Sequence, residues 1–109
     1  MTTPDHTSTT WYTSRADVTT DVPGRYAKQL VSHLGRKLDF VEDQGTWTAT
    51  VLGSVARITV GDGVLVLQAE ASDAESLARV EHALGSHLER FGQRSALTVT
   101  WQRSTTAPA

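Results

Sequence analysis

The chain has 109 residues, the length of one domain, and its 39% hydrophobic and 20% charged residues mark it as globular. A formal charge of −2 lacks the basic footprint of a nucleic-acid binder, and the absence of cysteine excludes disulfides, thiolate-held metals and thiol catalysis. The polar start MTTPDHTSTT is not a secretory signal, and the longest strongly apolar run, Val64 to Leu67, is far too short to cross a membrane. The expectation is a cytoplasmic protein with no nucleic-acid and no membrane partner.

Residues 1–10 and 104–109 are polar and small, and are expected to be flexible tails around one domain over 11–103. The first strand is predicted over about Trp11 to Thr19. Pro23 then opens a helix to Leu34, with Tyr26, Ala27, Leu30, Val31 and Leu34 as its apolar stripe. Gly35 should supply a left-handed cap, and Arg36 and Lys37 sit where the helix dipole favours cations. Four short strands follow. Leu38 to Glu42 leads into the turn Asp43-Gln44-Gly45. Trp47, Ala49 and Val51 alternate with threonines. Gly53-Ser54 turns into Val55 to Val60, and Gly61-Asp62-Gly63 makes a tight hairpin into Val64 to Glu70. A capping box, Ser72-Asp73-Ala74-Glu75, starts the second helix, whose stripe is Leu77, Val80, Leu84, Leu88 and Phe91 and whose end is Gly92. The last strand is predicted over about Ala96 to Arg103, with Leu97, Val99 and Trp101 alternating. The order β-α-β-β-β-β-α-β predicts an α+β fold, a two-layer sandwich with both helices on one face of an antiparallel sheet.

The segments RYAKQLVSHLGRK (25–37), DAESLARVEHALGSHLERFG (73–92) and LTVTWQR (97–103), in this order, resemble DUF2218, a family of small bacterial proteins without an assigned activity. The resemblance covers about Thr13 to Arg103. It implies a TATA-box-binding-protein-like fold, also seen in the last domain of phosphohexomutases, without importing DNA binding. Members of the family it resembles often sit near iron-acquisition genes, and the resemblance thereby implies, as an alternative, a link to iron or siderophore handling.

Both helices close on nearly the same words, Ser32-His33-Leu34-Gly35-Arg36 and Ser86-His87-Leu88-Glu89-Arg90. His33 and His87 each lie at the border of an apolar stripe, so they are expected to face the seam between the helices. There they would bind a metal, a haem or a small acid, with Tyr26, Ser86 and Arg90 as further ligand-binding candidates. The plainer reading makes each histidine a helix-end residue that bonds loose carbonyls and complements the dipole. Two histidines do not close a metal site, and Asp39, Glu81 and Glu89 are only guesses at a third ligand. Adjacent Ser and His on one helix do not face each other. Ser86 against His33 would be a cross-helix nucleophile–base pair, but nothing in the sequence supports it; there is no Gly-x-Ser-x-Gly elbow, and no catalytic residue is assigned.

Gly85 costs its helix about 1 kcal/mol relative to Ala and predicts a close approach, of the first helix in preference to a ligand. Arg25, Lys28, Arg36, Lys37, Arg79, Arg90 and Arg94 suggest a modest anion patch or a solvated surface. Trp47 and Trp101, like Tyr26, are expected in the core. On the far side of the sheet, threonines with Val55, Val64 and Val66 make either a wet face or a surface for a homodimer. The leading reading is a non-enzymatic binding or accessory protein acting through that face or a helix-seam pocket, with a small-molecule ligand. A metal- or haem-linked protein using His33 and His87, and a small-molecule enzyme with histidine acid–base chemistry, are the alternatives.

Overall fold

A computed structural model describes residues 11–51, 53–93 and 97–106. They form β1 (Trp11–Thr19), α1 (Pro23–Leu34), β2 (Val41–Asp43), β3 (Thr46–Val51), β4 (Ser54–Val60), β5 (Val64–Ala71), α2 (Ala74–Phe91) and β6 (Gln102–Thr106). The element order is the predicted one. The strands make one six-stranded sheet in the order β2-β3-β4-β5-β1-β6. Every neighbouring pair is antiparallel. No helix among the described residues is long and apolar enough to cross a membrane.

The period of two along β4 and β5 fixes which side faces the helices. Ser54, Ala56 and Ile58, and Leu65, Leu67, Ala69 and Ala71, are buried, while their chain neighbours are half-buried. Register carries this face across the sheet. Trp47 pairs with Ile58, Ile58 with Leu67, and Leu67 with Ala16. From above, α1 lays down Tyr26, Ala27, Leu30 and Leu34, and α2 lays down Leu77, Leu84 and Leu88. Leu30, Ile58, Leu65, Leu67, Leu77, Leu84 and Leu88 are fully buried. Each such side chain contributes about 1.5–3 kcal/mol through the water it leaves.

The turns follow local rules. Gln44 and Gly45 both have positive φ (50° and 83°), the pair of left-handed residues that a two-residue hairpin demands. Gly63 (φ 69°) closes the β4–β5 turn, where the Gly61 N–H donates to the Val64 carbonyl at 2.8 Å.

Five expectations need correction. Gly35 is right-handed (φ −63°), not a left-handed cap. The chain coils on, with the Lys37 and Leu38 N–H groups both donating to the Leu34 carbonyl. The cap of α2 is Asp73 rather than Ser72. A carboxylate takes two donors at once: Asp73 accepts from the Ser76 N–H at 2.7 Å and from the Ser76 hydroxyl at 3.0 Å. The strand β2 starts later than Leu38, and the last strand later than Ala96. Leu97 to Trp101 stay out of the ladder: Leu97, Val99 and Trp101 turn to the core, and the Val99 N–H is taken by the Glu89 carboxylate at 2.9 Å. Ser104 to Thr106, expected in the C-terminal tail, instead pair with Trp11 to Thr13. Residues 1–10 and 107–109, the remainder of the expected tails, and Ala96 lie outside the described residues.

Candidate functional site

The repeated Ser-His-Leu places one histidine near the end of each helix, and the fold brings the two together. The rings of His33 and His87 lie 4.5 Å apart, centroid to centroid, at 45°. The edge of one ring of the His33–Phe91 pair meets the face of the other at 5.7 Å. His87 Nδ1 is 2.6 Å from the Ala83 carbonyl oxygen one turn earlier. A carbonyl only accepts, so Nδ1 carries the proton and Nε2 of a neutral His87 keeps the lone pair. The His33 pKa is held below 6.5, first by the loss of water around the ring, then by repulsion from His87, Arg36, Arg90 and Lys37.

The surroundings of the pair are therefore positive. Among the described residues, no group of three His, Cys, Asp or Glu could hold a metal ion. Of the guessed third ligands, Glu81 is paired with Arg103 and Glu89 holds the Val99 N–H. Ser86, His87 and Arg90 share the wall of a shallow, open hollow with Leu97. The Ser86 hydroxyl donates to the His82 carbonyl of its own helix, so it is not aimed at His33. Tyr26 lies two turns before His33, roughly 10 Å along the axis, buried in the core and away from the seam. The expected anion patch divides: Arg36, Lys37 and Arg90 gather at His33, Arg79 pairs with Glu75 at 3.4 Å, and Arg94 lies outside the described residues.

A second feature escaped the sequence reading. A cleft of about 260 Å³ opens between the end of α1, the first three turns of α2 and the β3–β4 part of the sheet. Leu34 and Leu38 form one side and Val80, Ala83 and Leu84 another; Ala49, Ser54 and Ala56 form the floor, with Ser76 and Arg79 at the lip. Side-chain size is the cause. One row across the sheet reads Trp47–Ile58–Leu67–Ala16 and fills the space beneath the helices. The next row reads Ala49–Ala56–Ala69–Ser14 and leaves room. Ser54 is 8% exposed, lines the cleft, and its hydroxyl has no hydrogen bond among the described residues. The signal was present as alanine or serine at inward positions of neighbouring strands, but only the register aligns them.

The other flank of α2 is covered. Arg103 grips Glu81 with two bonds, 2.6 and 2.9 Å. These bonds hold the Glu81 pKa below 4.5 against burial, which pushes it up. Ser14, whose buried hydroxyl makes no well-formed hydrogen bond, lies close enough to add to the lowering. Gly85 faces this strap, not α1: a Cβ there would stand 3.0 Å from Trp101 Nε1 and 3.3 Å from Val99 Cγ1. The close approach expected at Gly85 is real, but its partner is the segment before β6.

On the open face of the sheet, Val64 and Val66 are neighbours along β5, whereas Val55 stands opposite Glu70. An Arg57–Glu70 ion pair (2.7 Å), an Arg15–Asp17 pair (2.8 Å) and a Thr46–Thr59 hydroxyl bond (3.1 Å) share that face.

A family described as "Uncharacterized protein conserved in bacteria (DUF2218)" matches residues 15–102. No curated protein matches the sequence. Among solved structures, the NMR structure of PA4090 from Pseudomonas aeruginosa superposes with a TM-score of 0.71 at 21% identity, covering 90% of this chain and 99% of that one. That likeness shows a shared fold. A de novo designed protein, Foldit4, aligns over 92% of this chain and 98% of its own at 12% identity and a TM-score of 0.42, too distant to carry an argument.

Proposed function

The chain belongs to DUF2218, a family of uncharacterised bacterial proteins, and from that premise we propose that it is a small-molecule binding protein whose site is the cleft between its helices and β3–β4. The observation that carries this is the cleft itself: a mostly apolar hollow of about 260 Å³ with a few polar groups at one end. Apolar walls with sparse polar groups are the usual make-up of ligand sites, and this one lies just under their common range of about 300–1,000 Å³. Its occupant is therefore small. The hydroxyl in the lining that has a carboxylate beside it, Ser76 against Asp73, belongs to the cap of α2, which favours binding over catalysis.

The test is a titration of the 15N-labelled protein with 1-octanol, a neutral apolar probe, followed by amide resonances. Saturable shifts confined to residues such as Ala49, Ala56, Ala83 and Leu84, abolished by Ala56→Phe, are expected. Shifts scattered over the surface, or none, would reject the cleft as a site.

A second reading uses the histidine seam. The fixed tautomer of His87, which leaves its Nε2 lone pair free, and the 4.5 Å approach of His33 would suit a shared metal ion rather than a haem between the rings. The cations around the pair oppose it, so it ranks second. Native mass spectrometry of protein purified without chelators separates the two. An extra mass of metal or haem lost in His33→Ala would put the seam first.

A further inference from the structure

Taking the cleft as a binding site, we infer a ligand class from how its polar groups are distributed. The cleft has two unlike ends. Leu34 at the end of α1 and Leu38 just beyond it, with Ala83 and Leu84 from the third turn of α2, make one end apolar. The polar lining comes from the other end. Ser54 opens β4 opposite Ala71, the residue from which the chain enters α2, so it lies beneath the first turns of that helix. Ser76 and Arg79 belong to those same turns.

These groups ask for an acceptor. The guanidinium of Arg79 only donates. The Ser76 hydroxyl already donates to Asp73, and the hydroxyl of Ser54, a residue only 8% exposed, is free to donate into the cleft. Arg79 is held only loosely: Glu75 reaches it at 3.4 Å, with both side chains more than 70% exposed, a surface pair of little strength. The other carboxylate at this end, Asp73, is committed to capping α2. A ligand carboxylate would meet Arg79 with two parallel bonds and little competition.

The cleft thus fits a small monocarboxylic acid with an apolar body. Its carboxylate lies under the first turns of α2 against Arg79 and Ser54, and its body runs toward Leu34 and Leu84. Medium-chain fatty acids have this shape.

Octanoate and 1-octanol, titrated into the full chain by the same amide NMR, test the class apart from the site. Octanoate should bind at least about tenfold more tightly than octanol, and Arg79→Gln should weaken octanoate by roughly tenfold. Arg25→Gln, an exposed helix position away from the cleft, should leave octanoate binding unchanged. Arg79 is exposed, so its replacement does not threaten folding, and Ser54→Ala gives a second reading of the same end. Equal affinity for acid and alcohol, or equal effects of the two arginine substitutions, would overturn the acid and leave the cleft standing. Failure of both probes to move cleft amides would overturn the cleft as well. Cleft resonances that shift with protein concentration alone would make a second copy the occupant and also overturn the proposal.

Discussion

The two flanks of α2 rest on the same sheet and differ in what covers them. Toward β1 and β6, the strap of residues 97–103 lays Trp101 against Gly85 and ties Arg103 to Glu81. Toward α1 and β3, alanines at positions 49, 56 and 83 meet with no large side chain among them, and a cleft is left. Helix and sheet geometry are common to both sides. A cavity in a two-layer fold is therefore a matter of which residue row lies under the helix, not of a change in backbone architecture.

Four experiments would break or sharpen this contrast. Trp101→Ala should cost the most, about 2–4 kcal/mol in urea unfolding, somewhat under the usual loss for a fully buried Trp because the ring is half-buried. A loss below about 1 kcal/mol would mean the strap is not what covers that flank. Leucine scanning should then separate the flanks. Gly85→Leu must displace Trp101 and should cost about 1–3 kcal/mol, whereas Ala56→Leu grows into the cleft and should stay within about 1 kcal/mol. Equal costs would deny that one side is full and the other vacant.

Arg103→Ala strands a buried carboxylate, with an expected loss of roughly 1–2 kcal/mol at neutral pH, kept small because the guanidinium is half in water. Glu81 is depressed below 4.5, so its contribution is complete above that pH and is lost as pH falls through the lower folded value. The difference between wild type and Arg103→Ala should accordingly shrink in acid. The smallest effect belongs to the seam. His33 is also depressed, from 6.5, so the folded protein binds this proton less readily than the unfolded chain does. Stability should be flat above about pH 7 and decline below pH 6.5, and His33→Gln should flatten that decline in a Tm–pH series. A His33→Gln profile identical to wild type would show that the charges around the pair are screened by water.

Much of this was legible in the sequence. The stripe Tyr26, Ala27, Leu30 and Leu34 gave α1 its ends, and glycine turns separated four strands correctly, because these signals act within one turn or one hairpin. The meeting of His33 and His87 could be anticipated because each borders its own helix's buried stripe. Boundaries slipped where tertiary partners decide them. Val99 surrendered its ladder bond to Glu89, and Asp73 outcompeted Ser72 as a cap. The buried Glu81 was invisible without Arg103. The cleft was least legible, since Ala49, Ala56 and Ala83 become neighbours only through strand register and helix placement, which no local window contains.

The position of β1 has a consequence for synthesis. It is the first strand among the described residues, yet it lies inside the sheet, between β5 and β6. Until Gln102 to Thr106 dock, Trp11 to Arg15 offer unpaired N–H and C=O groups on one side of β1 to any other extended chain. The five residues of β6 thus move the sheet's edge outward by one strand, and a chain lacking them would expose that stretch of β1 instead.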